Sequence, residues 1–568
     1  MPDSNKLNVV LYWHMHQPDY KVSSTDNYQQ PWTYLHTIKD YVDMAMHLES
    51  EPKAKAVFNF TPVLLDQIDD YAKQVASYLK NQTPIRDPLL SALASSAHTV
   101  NDNNRIELVD WCMRAHEERV IQRYPAYKQL VDLNTLLPDK QYAHMYLNDQ
   151  YIIDLVVWYH LGWLAELVKR NDIRVKRLIK KAHCFDQSDR TELLTIVGEL
   201  LSSVIPRYRA LANSGQIEMT TTPYAHPIIP LLIDFDSAAE AVPDIQKPKF
   251  NQYPHGEQRA HWHIQTGIET FERHFKFKPA GCWPSEGSLS THTCELLQEH
   301  GFKWTASGTN VLRNSIHQFA KHEDLPVYEH NAVQLNGQDI ACFFRDDELS
   351  DLIGFEYSNW HADDAVANLT HRLLGIAENK TGQAESIVAI ILDGENAWEH
   401  YPENGYYFLN ALYRELSSHP RINLTTFSEH LNTHKNRLPL PRLVAGSWVY
   451  GTFTTWIGSD EKNLGWDMLC EAKAVFDSKT TSGELTENEI AEATLQLAKC
   501  EGSDWFWWFG DYNPAISVSS FEKLFRENLI HLYVLLHTEP PSYLYSSFTT
   551  GSLSTTEDGT MRRGNDSF

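Results

Sequence analysis

The chain has 568 residues and carries 49 Lys and Arg against 74 Asp and Glu, which gives a formal net charge of −25 at pH 7. Nucleic acids and anionic membranes attract clustered cations, so this balance argues against either as the main partner. The chain is rich in aromatic residues and His, with 16 Trp, 27 Tyr, 23 Phe and 27 His. Stacking faces and hydrogen-bonding edges of this kind suit a large site for a neutral polar ligand.

The N-terminal apolar run and the cysteines bear on location. Residues 7–13 form an apolar run that is too short for a signal-peptide core or a membrane span, and no other segment approaches about 18 uninterrupted apolar residues. The seven Cys are scattered, so they fit neither a disulfide framework nor a CxxC zinc site. We therefore expect a soluble, cytoplasmic protein.

Short β-rich apolar runs recur along the chain and alternate with amphipathic helical patterns. Buried strands that alternate with helices imply a parallel sheet, and about seven such units favour a barrel over an open sheet. We therefore predict an α/β barrel over residues 1–434, with a helical insertion at about 79–213 that carries no strand signal. The predicted strands are 9–13, 56–60, 216–220, 280–283, 302–306, 340–344 and 387–392.

A Pro-containing break, KNRLPLPR at residues 435–442, indicates a domain boundary. The helical patterns that follow it predict a C-terminal α-helical domain over residues 443–545. The tail at 546–568 is rich in Ser, Thr and Gly, has little to bury, and is predicted to be disordered.

The first candidate site residues are His, at predicted strand ends. In a barrel, functional groups collect where strands end. His14 and His16, at i and i+2, share one strand face, so they could bind a metal ion, contact a substrate or be buried structural side chains. Glu218 lies on a predicted strand and His226 in the loop that follows it, so both are candidate site residues. The alternative interpretation is that Glu218 is a solvated side chain and His226 a turn residue before Pro227.

Two carboxylates at predicted strand ends indicate a catalytic site. Glu286 lies in WPSEG, where a Pro/Gly turn exposes it beside Trp283, as a glycosyl nucleophile requires. Asp393 opens DGENAW after six consecutive apolar residues, so burial should raise its pKa and keep it protonated, as a general acid requires. Because Trp398 accompanies Asp393 as Trp283 accompanies Glu286, the pattern predicts a two-carboxylate glycosidase site.

In their order these motifs resemble glycoside hydrolase family 57. With FRDDELSDLIGF at 344–355, the resemblance covers nearly everything from residue 8 to about 540. The chain is most similar to the amylopullulanase and α-amylase group, rather than to the branching enzymes or α-galactosidases. The five regions are HMHQP at 14–18, GQIE at 215–218 with HP at 226–227, WPSEG at 283–287, DGENAW at 393–398 and EGSDWFWWFG at 501–510.

The resemblance implies a distorted (β/α)7 barrel with a helical insertion, followed by a C-terminal α-helical domain that completes the active-site cleft. It implies Glu286 as the nucleophile and Asp393 as the general acid/base of a retaining mechanism. It implies neither a cofactor nor a catalytic metal ion. The candidate substrate-binding residues are His14, His16, Gln17, Glu218, His226, Trp283, Trp398, Asp504 and Trp507.

The expected function is therefore hydrolysis of α-1,4-glucosidic bonds in starch, glycogen or maltodextrins by double displacement, with α-1,6 activity left open. The alternative is a 4-α-glucanotransferase or glucan branching enzyme that uses the same residues and differs only in the acceptor. Two hypotheses from other classes are a barrel metallohydrolase that uses His14 and His16 and a non-catalytic glucan-binding relative. Arg345 with Asp346, Asp347 and Asp351 fits either substrate contacts or an ion-pair network beside the cleft.

Overall fold

The computed structural model describes residues 6–22, 24–94, 102–136, 147–319, 329–379 and 386–552. Most of these residues are helical. The strands are β1 Leu7–Met15, β2 Lys21–Val22, β3 Asn27–Tyr28, β4 Ala56–Phe60, β5 Ile217–Thr220, β6 Gly281–Cys282, β7 Trp304–Ser307, β8 Val333–Leu335, β9 Ala341–Phe344, β10 Ile387–Asp393, β11 Ile422–Leu424 and β12 Leu438–Leu440.

The strands form two five-stranded sheets and one hairpin. The first sheet has the order β10-β1-β4-β5, with β11 also on β1, and all its pairs are parallel. The second has the order β12-β8-β9-β7-β6 and is parallel except between β8 and β9. All nine residues of β1 and the first six of β10 are buried, as expected for central parallel strands that are covered on both faces.

Two single bridges join the sheets edge to edge. Thr221 after β5 bridges Cys282 of β6, and Arg345 after β9 bridges Ala389 of β10, both in parallel. Seven parallel strands thus follow one another around a ring, in the order β1, β4, β5, β6, β7, β9, β10. The predicted α/β class is confirmed, and its seven predicted strands correspond to these seven. The ring is closed by bridges and not by one continuous ladder.

Helices cover the sheets and make up the insertion between β4 and β5, where every regular element in the described residues is helical. The α-helices before β5 are Trp32–His36, Val42–Ser50, Pro62–Asn81, Pro88–Ala94, Asp102–Cys112, Pro125–Thr135, Asp149–Trp163, Glu166–Asn171, Ile173–Lys181 and Gln187–Asn213. Those from β5 to β12 are Ile229–Ile233, Ser237–Ala241, Gly256–Phe275, Thr291–Glu299, Thr309–Phe319, Asp347–Asp351, Ala362–Asn379, Tyr406–Ser418 and Phe427–Thr433. No helix in this described part of the chain is long and apolar enough to cross a membrane.

Four α-helices after β12 form the C-terminal unit in the described residues, and one buried carboxylate fastens it to the helix Gly256–Phe275. Glu501 accepts hydrogen bonds from Arg259 at 2.7 Å, His263 at 2.7 Å and Tyr253 at 2.7 Å. Arg259 and His263 belong to the helix Gly256–Phe275, so the contact fixes the following residues, Ser503 and Asp504, over the ring of strands. The four helices are Asp460–Thr481, Glu487–Cys500, Ser503–Trp508 and Ala515–Leu535.

The segment predicted to be a disordered tail begins with residues that pack on this helical unit. Phe548 lies 5.2 Å from Phe509, ring centre to ring centre, and Ser552 bridges Pro514. Residues 553–568 of the predicted tail lie outside the described residues.

Candidate active site

The C-terminal ends of four neighbouring strands place polar side chains at one level. In the register of β10, β1 and β4, His14 pairs with Asp393 on one side and with Asn59 on the other. Asn59 in turn pairs with Thr220 of β5. Because parallel strands end together, the motifs that open with His14 and Asp393 meet at one end of the ring, as the sequence predicted.

Glu286 is held in a tight turn after β6. Its backbone is left-handed, with φ 58° and ψ 25°, which is rare for a residue with a side chain and common at functional sites. Trp448 secures it: the Trp448 backbone N–H donates to the Glu286 carbonyl at 3.0 Å, and the indole Nε1–H donates to Oε2 at 3.2 Å. The turn therefore presents the carboxylate in one fixed orientation.

Burial raises the pKa of Glu286 to about 8, and the nearby carboxylates of Asp504 and Asp393 add to the rise. The bonds from Trp448 and Ser503 only partly oppose it. Burial also raises the pKa of Asp393, to about 6, against the lowering effect of a hydrogen bond from Asn396 at 2.9 Å. The sequence predicted the rise for Asp393. The structure adds the larger rise for Glu286, so between about pH 6 and pH 8 the two carboxyl groups together hold one proton.

Three imidazoles stack beside these carboxyl groups. The rings of His16 and His226 are 3.8 Å apart between centres and 21° from parallel, and the His14 ring lies 5.4 Å from that of His226. Burial lowers the pKa of His14 to about 3 and that of His226 well below its usual value, with His16 adding to both effects. His14 and His226 are therefore neutral near pH 7 and can offer uncharged hydrogen-bonding edges to a ligand.

The stacking also bears on metal binding by this cluster. One ligand atom each from His16, His226 and Asp504 lies within 4.8 Å of the other two. Imidazole lone pairs lie in the ring plane, however, so two nearly parallel rings 3.8 Å apart direct their nitrogens along parallel lines and not at one ion. The arrangement suits hydrogen bonding to a ligand better than it suits metal coordination.

The helical unit completes the cluster with two neighbouring side chains. Asp504 Oδ1 lies 2.8 Å from His16 Nε2, and Ser503 Oγ lies 2.9 Å from His226 Nδ1. Ser503 also donates to Oε1 of Glu286 at 3.5 Å. Asp504 and Ser503 of the helical unit therefore lie against the imidazoles after β1 and β5, and substrate binding by Asp504 stays a prediction.

Gln17 and Glu395 connect two of the loops that carry the site residues. Glu395 Oε1 accepts bonds from the His16 backbone N–H at 3.2 Å and from Gln17 Nε2 at 3.4 Å. Gln17 is itself buried, and its amide oxygen accepts a bond from Tyr20 at 2.8 Å. These contacts tie the loop after β1 to the loop after β10, so Gln17 braces the site where the sequence predicted substrate contact.

The structure does not bring Glu218, Trp283 or Trp398 into the cleft as predicted. Glu218 accepts bonds from Trp304 Nε1 at 2.8 Å and from the Ser428 backbone at 3.0 Å, two residues below the level of His14. Trp283 is wholly buried under the cluster, with its ring 6.0 Å from that of His14. Trp398 is also buried and donates to the carbonyl of Gly394 in its own loop. The polar groups of Glu218 and Trp398 are thus already bonded within the protein, whereas Nε1 of Trp283 has no hydrogen-bond partner among the described groups.

Trp507 is half-buried, and its ring centre lies 6.0 Å from that of Trp456. The sequence did not indicate two side chains that form hydrogen bonds to the Glu286 carboxylate, those of Trp448 and Ser503. Trp448 follows the Pro-containing break, where no periodic pattern or motif marks it. Ser503 lies inside EGSDWFWWFG, directly before Asp504, and that position was a usable signal.

Arg345 forms an ion-pair network with carboxylates of its own segment, and it also acts electrostatically to lower the pKa of Asp393. Its guanidinium bonds to Asp347 at 2.6 Å, to Asp351 at 2.7 Å and to the carbonyl of Ile391 at 2.8 Å. It also lies 5.8 Å from the centre of the Trp448 ring. Of the two interpretations of this segment, the described contacts favour bracing of the cleft.

Comparison with known families gives one match, to the model of glycosyl hydrolase family 57 over residues 10–441. The chain belongs to this family. Its fold is similar to that of the GH57-type branching enzyme from Pyrococcus horikoshii, at 15% identity and a TM-score of 0.56 over 95% of this chain and 93% of that one. It is also similar to the α-amylase AmyC from Thermotoga maritima, at 12% identity and a TM-score of 0.55 over 95% of each chain. It is similar to the 4-α-glucanotransferase from Thermococcus litoralis at 13% identity and a TM-score of 0.52, over 94% of this chain and 61% of that one.

Proposed function

We propose that this family 57 enzyme breaks α-glucosidic bonds of α-glucans by a retaining double displacement, with Glu286 as the nucleophile and Asp393 as the general acid/base. The observation that carries the proposal is the pair itself: two partly buried carboxyl groups with raised pKa values, one in the turn after β6 and one at the end of β10. A retaining glycosidase needs one group to attack and one to carry a proton.

In the first step Glu286 attacks the anomeric carbon while Asp393 protonates the departing glycosidic oxygen. Because Glu286 has the higher pKa, the shared proton resides mainly on Glu286 and must move to Asp393 for this step. The reactive form is therefore the less populated one, with ionised Glu286 beside neutral Asp393. Bonds from Trp448 and Ser503 favour that form because both donate to the Glu286 carboxylate. In the second step Asp393 takes a proton from the acceptor, which attacks and releases the sugar.

The neutral imidazoles of His14 and His226, together with Asp504, are proposed to bind the hydroxyl groups of the sugar at the cleaved bond. His226 Nε2 is buried and has no hydrogen-bond partner among the described groups. An unpaired buried nitrogen costs about 1–3 kcal/mol, and a ligand hydroxyl would repay that cost. The half-exposed face of Trp448 offers the sugar ring a stacking surface.

Hydrolysis of α-1,4 bonds, as in an α-amylase or amylopullulanase, is the proposed reaction, and transfer to a second sugar is the alternative. The proposal rests on the motif resemblance and on the structural similarity to an α-amylase, and the alternative is supported by a comparable similarity to a branching enzyme and a 4-α-glucanotransferase. The two reactions share every residue named above and differ only in whether water or a sugar hydroxyl reaches the intermediate.

Incubation with maltotriose and separation of the products tests this choice. Glucose and maltose alone support hydrolysis, whereas longer oligomers support transfer, and a branched product from amylose supports branching. NMR of the first anomer released tests the mechanism: the α-anomer is expected, and the β-anomer would rule out double displacement. Glu286→Gln and Asp393→Asn should each reduce turnover at least about 1,000-fold while the fold is kept.

A further inference from the structure

A second group of ligand-type side chains lies where β9 ends beside the chain that leads into β8. Glu329 and His330 precede β8, and Asp346 follows β9. One ligand atom from each of the three lies within 4.8 Å of the other two. His330 Nε2 is 3.0 Å from Asp346 Oδ2. This group shares no residue with the cluster around Glu286.

The backbone of the group is rigid. The carbonyl of His330 accepts a bond from the Ile387 N–H at 2.8 Å, and the Asp346 N–H donates to the carbonyl of Ala389 at 2.8 Å. Ile387 and Ala389 both belong to β10, so the same buried strand holds both segments of the group. A preformed set of ligands loses little entropy when an ion binds.

Two of the three side chains in the group are carboxylates, and the only nitrogen ligand is the imidazole of His330. Arg345 is occupied by Asp347 and Asp351, and Asp346 Oδ1 accepts only a backbone bond, from Leu349, at 2.9 Å. A cation would offset this charge.

Two further buried polar atoms lie beside the group, although neither is one of the proposed ligand atoms. Nδ1 of His330 and Oδ2 of Asp347 have no hydrogen-bond partner in the part of the chain that is described. His330 is 8% exposed and Asp347 is 2% exposed, so neither atom is satisfied by bulk water. Unpaired buried polar atoms are uncommon in native proteins and frequently mark an ion or a water.

We propose that Glu329, His330 and Asp346 bind a divalent transition-metal ion, zinc in preference to magnesium or calcium. One imidazole nitrogen with carboxylate oxygens is a ligand set that zinc accepts, whereas magnesium and calcium prefer oxygen alone. Two ligands at about 2.0–2.1 Å from one tetrahedral ion are about 3.3 Å apart, close to the observed separation of His330 Nε2 and Asp346 Oδ2. Water would fill the fourth position.

The site is structural and takes no part in bond cleavage. Asp346 adjoins Arg345, whose guanidinium lies over the ring of Trp448, and Trp448 holds Glu286. An ion that joins the chain before β8 to the end of β9 therefore steadies the residues behind the nucleophile. Zinc binding should raise the unfolding temperature of the protein.

Zinc content tests the proposal on the full, untagged chain after incubation with zinc and gel filtration. We expect one zinc per chain in the wild type and a loss of at least 80% in His330→Ala. His361→Ala is the matched control, because His361 is an exposed His beside a carboxylate, 3.9 Å from Asp363, and it should keep its zinc. Asp504→Asn should also keep it, which separates this site from the cluster of His16 and His226.

Glu329→Gln gives a second measurement that changes only one charge. Zinc should bind it at least tenfold more weakly than the wild type in a competition titration with a chromophoric chelator. The zinc-dependent rise in unfolding temperature should shrink in parallel. Zinc retained by both His330→Ala and Glu329→Gln, zinc lost from Asp504→Asn instead, or no zinc in the wild type would each overturn the proposal. None of these outcomes depends on activity toward glucans.

Discussion

Trp448 holds Glu286 by two hydrogen bonds, one from its backbone N–H to the Glu286 carbonyl at 3.0 Å and one from its indole to the carboxylate at 3.2 Å. The first bond stabilises a left-handed backbone that a side-chain-bearing residue rarely adopts. The second favours the ionised carboxylate that attack requires. Trp448 therefore acts on both the position and the charge of the proposed nucleophile.

Trp448→Phe tests this relationship. The substitution keeps an aromatic ring and the backbone bond but removes the indole N–H. A hydrogen bond to a charged group contributes about 1.5–3 kcal/mol, so kcat/KM should fall about 10- to 100-fold. Because the lost bond favours ionised Glu286, the pKa of that group should rise, visible as a shift of the pH profile to higher pH.

Trp158→Phe is the matched control for Trp448→Phe. The indole of Trp158 also donates a hydrogen bond, to the carbonyl of Ala182 at 2.8 Å, but it lies in the helical insertion. This control should lower stability and leave the pH profile unchanged. An unchanged kcat/KM in Trp448→Phe would contradict the assigned role.

The pH dependence of kcat/KM should be bell-shaped, with limbs near pH 6 and pH 8. The reactive form of the enzyme carries one proton on the pair of Glu286 and Asp393. Below about pH 6 a second proton binds, and above about pH 8 the last proton leaves, so activity falls on both sides. The limbs belong to the pair and not to one residue. A profile flat from pH 5 to pH 9 would contradict this pairing.

Asp504→Asn should move only the upper limb, and toward lower pH. The Asp504 carboxylate is the largest electrostatic contribution, after burial, to the raised pKa of Glu286. Its removal makes ionisation of Glu286 easier, so the last proton leaves at a lower pH. An upper limb that moves to higher pH, or does not move, would show that Asp504 does not act on Glu286 electrostatically.

Much of the fold was predictable because a long apolar run is stable only where the protein buries it. Six consecutive apolar residues before Asp393 can only be a buried strand, and the polar residue that ends such a strand lies at the edge of a parallel sheet. The same argument located His14. The positions of both therefore followed from composition along the chain and needed no knowledge of tertiary contacts.

The other site residues could not be placed from the sequence. Their roles depend on how far along a strand each side chain lies from the open end of the ring, and on contacts between residues far apart in the chain. Glu218 and Thr220 share a strand face, but Glu218 lies two residues deeper, about 6–7 Å further from the open end, where Trp304 and Ser428 occupy its carboxylate. Period-two patterning gives the face and not the depth. Trp448 comes from a loop more than 150 residues after Glu286, and nothing in its local sequence indicates that contact.

Glu286→Gln should stabilise the protein, and more so at alkaline pH. The pKa of Glu286 is raised to about 8 in the folded state, so folding favours its protonated form. Its contribution to stability is intact below its unfolded pKa of about 4.3 and is lost as pH rises through 8. Gln cannot ionise and avoids this loss. We expect a gain of about 2–4 kcal/mol at pH 9 and little change at pH 4, measured by thermal unfolding.

Glu501→Gln is the control with the opposite sign. Burial alone would raise the pKa of Glu501, but Arg259 and His263 outweigh it and hold the pKa at about 2. Its stabilising contribution is present above about pH 4.3 and is lost as pH falls toward 2. Replacing it leaves Arg259 unpaired, which should cost about 3–5 kcal/mol at pH 7. Equal effects of the two substitutions would contradict both assignments.

Glu395 tests whether the site needs a charge or only a hydrogen-bond acceptor at its base. Burial, with the neighbouring Asp393, raises the pKa of Glu395 well above its usual value, which favours its neutral form. Its Oε1 accepts bonds from the His16 backbone and from Gln17. Glu395→Gln keeps that acceptor and should retain kcat/KM within about threefold. Glu395→Leu leaves both donors unpaired in a buried place, at about 1–3 kcal/mol each, and should lower kcat/KM at least about tenfold. A large loss in Glu395→Gln would mean that Glu395 acts as an ionised group and that its neutrality is wrong.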